Sequence, residues 1–401
     1  MSTATPASPK TLRDRMVDTI AATHLLTTAV ENALRAVPRH EFVPNVTLEE
    51  AYADQSITIK PNPAGDLPLS CASVPSLVAD MLVWLRAKPG DTVVEIGAGT
   101  GYNAALLAHL VGPDGQVVTI DIDQDVTAHA RTMLDATGNT AVTVLTRDGA
   151  LGAPEYGHPN RMIVTVGAWD IPTAWWDQLQ PGTRLVVPLS WRGQTRCLGL
   201  DRLGDRMVSD VVELCGFVPM LGQDGERTAA IDADGLVTLH FDADQHIAPA
   251  TQRGVLEQPK TTVASGVTIR GDESFDGVWL RLTAADPATC RITADRAAVD
   301  SGLCRPAIPA RSPALAEGDS LAYLTLTRRE VEGPTRWELG ATGHGAAGRH
   351  LAERLCEQIR AWDRARDARP TITLYPARTP DDQSGGGYVI DKPGVRMVIA
   401  Y

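Results

Sequence analysis

No apolar run in this chain reaches the roughly 18 residues a membrane span needs, and the opening MSTATPASPK lacks the apolar centre of a signal peptide. A cytoplasmic protein with no membrane partner is the expectation. Positive charge is also scarce: 37 Lys and Arg stand against 49 Asp and Glu, for a formal charge of −12. Nucleic-acid binding normally shows as a basic face, so this balance argues against a phosphate-backbone partner and leaves room only for a local basic patch facing an acidic peptide. Cysteine is sparse and unpaired in pattern. The six residues Cys71, Cys197, Cys215, Cys290, Cys304 and Cys356 form no CxxC and have no histidine at ligand spacing, and the nine histidines are dispersed. They read as reduced, packed small hydrophobes, and no metal is expected. What is present in quantity is ordinary: 43% hydrophobic and 21% charged residues over 401 positions, a globular composition too long for one core. Two domains are expected.

The stretch Asp91 to Gly101, DTVVEIGAGTG, organises the rest. β-formers around an acid run into three glycines spaced GxGxG, which predicts a buried strand ending in a turn too tight for side chains. YNAALLAHLV (102–111) then predicts a helix that turns Ala105, Leu106, Ala108 and Leu110 toward a sheet. Strand, glycine turn and helix N-terminus make a backbone-lined notch for a nucleotide-like ligand. A second strand, GQVVTID, ends in Asp121, where doubly wound folds place the acid that holds ribose hydroxyls. A dinucleotide loop would read GxGxxG. Here Glu95 precedes the glycines and the third glycine comes two residues after the second, which favours S-adenosylmethionine, a ligand with no phosphate to cradle, over a dinucleotide or an empty turn. Glu95, Gly97, Ala98, Gly99, Thr100, Gly101, Asp121 and Ile122 are the candidate cofactor contacts on this stretch.

Helical spacing of apolar residues over 10–37 predicts two helices joined near Leu25 to Thr28. VPRHEFVP (37–44), AYADQSITI (51–59) and the polar loop KPNPAGD (60–66) come next. LSCASVPSLVADML then passes into a helix with Pro75 in its first turn, which puts the hydroxyls of Ser70 and Ser73 at a helix entrance. After Asp121 come a helix (126–136), a strand AVTVLTRDG ending at Asp148 and Gly149, and a strand RMIVTVGA (161–168) leading to Trp169. The helix TAWWDQL, the strand RLVVPLS and a hairpin over 195–220 complete an alternating α/β pattern. Past Gly222 the pattern changes to strand signals, including GVWLRLTA (277–284), SLAYLTLTR (320–328) and TITLYPA, with one strong helix at 347–366. This predicts a second, α+β domain. The expected division is 1–75 as N-terminal helices and substrate-side lid, 76–222 as the cofactor-binding core, and 223–401 as the C-terminal domain.

VPRHEFVP, AYAD, the S-x-P entry at Ser73-Val74-Pro75, VVEIGAGTGYNAALLA, RDGALG and RMIVTVGAWDIP together resemble the protein-L-isoaspartate O-methyltransferase family, in order and spacing, over roughly residues 12 to 220. The resemblance implies a class I, Rossmann-like methyltransferase fold with a doubly wound sheet and S-adenosylmethionine as donor. It implies that Ser73 orders the acceptor carboxylate beside the methyl group, with Ser70 as the other candidate hydroxyl, and that Asp148 and Gly149 meet the adenine. Ser73 could equally cap the helix that begins near Pro75, and the two roles are compatible. Val166 and Trp169 are candidates for the substrate side, although Trp169 fits an interdomain core as well. Arg39 and His40 read as braces of the helix-to-loop corner, and Trp175-Trp176 as core.

Methyl transfer to a carboxylate needs alignment rather than acid–base chemistry, so the lack of a His or Lys base in these motifs is expected. LSCASVP, GAWDIP, GFVPM and the added domain depart from the minimal repair enzymes. In those features the chain resembles the FxLD-system methyltransferases of actinobacterial lanthipeptide pathways, which implies an Asp of a ribosomally made peptide as acceptor and a succinimide as the ester's onward product. Repair of isoaspartate in proteins is the alternative, and a non-catalytic adenosyl-binding docking module is a third.

Overall fold

The computed structural model describes residues 7–63, 67–223, 225–330 and 334–401. Ala64, Gly65 and Asp66 of the expected polar loop, and the first six residues of the opening stretch, lie outside the described residues. Two compact units are present. The first holds the described residues up to Leu189, Arg196–Gly222 and Thr373–Pro376; the second holds Ser190–Thr195, the described residues of 223–372, and Ala377–Tyr401. The chain leaves the first unit at Gly222, but a hairpin tip and a late strand cross that divide, which no local composition shift reveals. Residues 1–75, expected as a lid, share a core with the rest of the first unit: Met16, Ile20 and Leu34 belong to the same buried cluster as Leu85, Leu106 and Val117.

The first unit begins with α1 (Pro9–Thr23), α2 (Thr28–Ala36), α3 (Leu48–Ala51) and the hairpin of β1 (Ile57–Lys60) and β2 (Ser70–Ala72). It continues through α4 (Pro75–Leu85), β3 (Thr92–Ile96), α5 (Tyr102–Val111), β4 (Gln116–Asp121), α6 (Gln124–Ala136) and β5 (Thr143–Thr146). Then come β6 (Arg161–Val164), α7 (Thr173–Gln178), β7 (Arg184–Trp191), β8 (Gln194–Leu203) and β9 (Arg206–Leu214). Side-chain caps set the helix starts: Ser8 for α1, Thr27 for α2, a Thr47/Glu50 capping box for α3 and Asp123 for α6. The sheet order is β17-β9-β8-β7-β6-β3-β4-β5, where β17 (Thr371–Pro376) comes from far along the chain and pairs Thr373 with Val208. Strands β7-β6-β3-β4-β5 are parallel. Because the chain runs from β3 outward to β4 and β5 and then returns to β6 on the other side, a crevice opens at the carboxyl end of β3.

In the second unit, β10 (Glu226–Ala230), β11 (Val237–Asp242), α8 (Pro249–Gln252), β12 (Lys260–Arg270), α9 (Asp276–Thr283), β13 (Thr289–Ala294) and α10 (Arg296–Ser301) come first. After them come β14 (Ser312–Glu317), β15 (Ser320–Arg329), β16 (Arg336–His344) and α11 (Gly348–Asp363), with the hairpin β18 (Tyr388–Asp391) and β19 (Val395–Ala400) at the end. A seven-stranded sheet of order β10-β11-β13-β14-β15-β16-β12 carries two apolar clusters, one of which includes Leu351, Leu355 and Ile359 of α11. One expectation fails here. GVWLRLTA is helix α9 rather than a strand, whereas the strong helix expected at 347–366 is α11, the longest helix among the described residues of this unit. A short run that is apolar on nearly every side cannot be assigned by periodicity, and here Gly277 permits close packing: a Cβ there would lie 2.7 Å from Trp362 Nε1. Among the described residues no helix is long and apolar enough to cross a membrane.

Candidate active site

The crevice is shaped by what the glycines allow. Gly97 has φ +103°, and a Cβ there would stand 2.5 Å from Thr165 Oγ1, so no other residue fits. The amides of Gly97 and Ala98 donate to Ile120 O at 2.7 and 3.0 Å, and Gly99 N donates to Asp121 Oδ2 at 3.4 Å, which ties the turn to the end of β4. Gly101 differs from expectation. A Cβ on it would meet Ala130 O and Leu134 Cγ at 3.1 Å, so this glycine admits α6 against α5 and takes no part in the crevice wall.

That wall contains Glu95, Gly97, Ala98, Gly99, Thr100, Asp121, Ile122, Asp148 and Gly149, and also Ser70, Ser73 and Val166. Trp169 is not in it. The chain after β6 is bridged from Gly167 to Pro219 and from Ala168 to Leu189, and Val166 is the residue that reaches the cavity. Ser73 does not cap α4 either: the N-cap is Val74 without a side-chain bond, and the Ser76 amide donates to Asp54 Oδ1 at 2.9 Å. The Ser73 hydroxyl has no partner among the described residues, while its carbonyl accepts from Arg39 Nη2 at 2.8 Å. Ser70 is buried in β2, paired opposite Lys60.

Among the described residues four carboxylates line the wall. Glu95 is fully buried and accepts from Asn103 Nδ2 and Thr119 Oγ1, each at 2.7 Å; burial pushes its carboxyl up to about 7 against these two bonds. Asp121 is raised by burial, while the Asp123 and Gly99 amides favour its charge. Asp123 is held below the usual carboxylate range by Lys60, whose Nζ is 2.6 Å away. Asp148 starts a short helical turn by accepting from Ala150 N at 2.9 Å. The turn after it is fixed by α7: Trp175 Nε1 donates to Gly149 O at 2.9 Å, and Gln178 accepts from Ala153 N at 2.8 Å. Trp175 is core, as expected, but its indole N–H also sets the backbone of the wall. One cation stands among these acids in the described part of the wall, Arg39, which donates from Nε to Ala51 O at 3.0 Å.

Several of these residues were invisible in sequence. Asn103 and Asp54 act through contacts 8 and 22 residues away, and Phe217–Leu221 reach the wall only because Pro219 bridges to Gly167. Arg39 does brace the corner, by its two backbone bonds, and His40 does so through Tyr52 Oη at 2.8 Å. Five of the six cysteines are buried and all six are free; Cys71 is half-buried in the wall. No group of three metal-capable side chains occurs among the described residues.

Residues 12–225 match the family described as protein-L-isoaspartate(D-aspartate) O-methyltransferase (PCMT). The chain belongs to this family. A relative named protein-L-isoaspartate O-methyltransferase from Methanopyrus kandleri is 35% identical over 216 residues, 53% of this chain and 92% of the relative. One of the same name from Methanoregula boonei is 38% identical over 226 residues, 56% of this chain and 99% of the relative. A solved structure titled protein-L-isoaspartate O-methyltransferase aligns with 90% of this chain and 96% of its own, at TM-score 0.50 and 18% identity, a likeness of fold. That alignment extends well beyond the family segment, so a fold of this extent is not peculiar to this chain.

As a PCMT family member the protein is a carboxyl O-methyltransferase that uses S-adenosylmethionine, and the wall fits that donor. The turn at Gly97 leaves backbone where a Cβ would intrude, Asp121 and Asp148 offer acceptors for hydroxyl and amino groups, and Ile122 offers an apolar face. The excess of acid over base suits a cation and suits a pyrophosphate poorly.

Proposed function

We propose that the protein methylates the carboxylate of an isoaspartyl residue in a peptide or protein, with Ser73 ordering the acceptor and Gly97, Ala98, Gly99, Asp121, Ile122, Asp148 and Gly149 holding the donor. The observation that carries this reading is the Ser73 hydroxyl, without a partner among the described residues and in the same wall as the glycine turn. When bound, S-adenosylmethionine supplies an electrophilic methyl carbon on a sulfonium. The acceptor arrives as an anion at neutral pH, so the chain has no proton to remove. Its work is to orient and to exclude water. The Ser73 O–H donates to the idle carboxylate oxygen and leaves the other free to attack, and Arg39 fixes the Ser73 backbone from behind. Glu95 holds Asn103 and Thr119 beneath the turn and acts as a positioning residue.

A second acceptor, an aspartate of a ribosomally made, lanthipeptide-type substrate, is supported by the LSCASVP and GFVPM segments, which supply Ser70, Ser73 and Phe217 to the wall. The second unit does not separate the readings, because a protein-L-isoaspartate O-methyltransferase fold aligns along 90% of the chain. On either reading the ester can lose methanol to the next backbone nitrogen and give a succinimide. Incubation with S-adenosylmethionine and either an isoaspartyl peptide or an aspartyl lanthipeptide precursor, with mass spectrometry as the readout, tests this. One methyl gained by the isoaspartyl peptide alone supports the first reading, and one gained by the precursor alone supports the second. Donor binding with transfer to neither would leave a docking module.

A further inference from the structure

Arg39 carries more charge than its bracing role uses. The residue is 1% exposed, a burial at which guanidinium groups are ordinarily matched by a carboxylate. Here Nε and Nη2 are spent on two neutral carbonyls, those of Ala51 and Ser73, and Nη1 has no partner among the described residues. The group lies over the ring of Tyr102, 5.1 Å from its centroid, and the buried Tyr102 hydroxyl is itself without a partner among the described residues. Asp54, an acid whose field reaches Arg39, spends Oδ1 on the Ser76 amide at the start of α4. Both Arg39 and Tyr102 are nevertheless part of the crevice wall.

The cavity is thus electrically lopsided. Asp121 and Asp148 line it at the end of β4 and the turn after β5, with Asp123 paired to Lys60 and the charge of Glu95 disfavoured by burial, and the one cation among the described wall residues stands next to Ser73. A cationic donor and an anionic acceptor would sort themselves along that axis without further help. We propose that Arg39 is the counter-charge for the acceptor carboxylate: Nη1 binds the incoming acid beside the Ser73 hydroxyl and makes the site select a carboxylate over the matching carboxamide. This rests on the functional reading above and names a specificity residue within it. Because one guanidinium both holds the Ser73 carbonyl and meets the substrate, the hydroxyl and the positive charge arrive in fixed register.

The test pairs an isoaspartyl peptide with the same peptide carrying a carboxamide in place of that carboxyl. In the wild type, competition assays should show the acid binding at least about tenfold more tightly than the amide, the usual worth of a charge-assisted bond. Arg39→Gln should abolish that preference while S-adenosylhomocysteine affinity, which reports the folded donor site, stays within about twofold. Arg39→Lys keeps the charge and loses the fork, so a counter-charge role predicts that it retains part of the preference, whereas a mere brace predicts that it behaves as Gln does. An Arg39→Gln protein that binds S-adenosylhomocysteine and still prefers the acid overturns the proposal. Should that variant fail to fold, equal competition by acid and amide in the wild type overturns it as well. Absence of transfer to any acid-bearing peptide by the wild type would instead bring down the functional reading, so the two failures are distinguishable.

Discussion

Replacing Glu95 by Gln isolates a charge that the fold holds at a disadvantage. The carboxylate is completely buried in β3, next to the field of Asp121, and its two hydrogen bonds do not offset desolvation, so its pKa stands at about 7 against 4.5 when exposed. Between those values the unfolded chain has released a proton that the native protein keeps. Stability from this group is therefore fully present below pH 4.5 and is lost as pH rises through about 7. The shift corresponds to about 3 kcal/mol. Gln is nearly isosteric and can accept from Asn103 Nδ2 while donating to Thr119 Oγ1, the groups that Glu95 contacts at 2.7 Å. The variant should thus lack the decline in stability between about pH 5 and 8 and exceed the wild type at the upper end by up to about that amount. Hydrogen exchange at β3 and α5 under mild urea confines the reading to the first unit. A Glu95→Gln protein that keeps the wild-type pH slope would refute the assignment of that slope to Glu95.

The same geometry sets other outcomes. Ser73→Ala should slow transfer by at least about tenfold, through loss of a donor to the acceptor oxyanion, and leave the donor dissociation constant nearly unchanged in titration calorimetry. Asp121→Lys should weaken S-adenosylhomocysteine by at least about tenfold, since on the proposed reading it removes an acceptor and places a cation where the adenosyl hydroxyls would lie; unchanged calorimetric affinity would remove Asp121 from the proposed donor site. Gly97→Ala combines a φ of +103° with a Cβ only 2.5 Å from Thr165 Oγ1. It should lower stability by more than about 1 kcal/mol in urea melts as well as abolish donor binding. Trp175→Phe removes the bond to Gly149 O and should cost about 1 kcal/mol with a loss of donor affinity, measured by the same two methods.

Parallel strands, the glycine turn and the acids at strand ends were readable because each rests on local chemistry: β-formers before a tight turn, and Asp121 and Asp148 where a strand stops. The features that stayed hidden depend on distance along the chain. Gly101 belongs to the same motif as Gly97, yet its Cβ position is filled by α6, some thirty residues on, so motif membership did not translate into a place in the crevice wall. Trp169 comes after a wall strand but is carried past the wall by the bridges at Gly167 and Ala168. The amide at the start of α4 is met by Asp54 rather than Ser73, and that change left the hydroxyl free for chemistry. In the second unit GVWLRLTA misled because an apolar run buried on nearly all sides carries no period. The late strand β17 joins the first sheet at Met207 and Val208 from more than 160 residues away, which no pattern within either segment announces.

The central claim is that a methyl donor lies against the tips of β3, β4 and β5 with the Ser73 hydroxyl facing it across the crevice. A crystal structure with S-adenosylhomocysteine and an isoaspartyl peptide bound tests it most directly. The account predicts adenosine between Asp121 and Asp148 and the peptide carboxylate within hydrogen-bond reach of Ser73 Oγ. Adenosine elsewhere, or a carboxylate held without that hydroxyl, would contradict it.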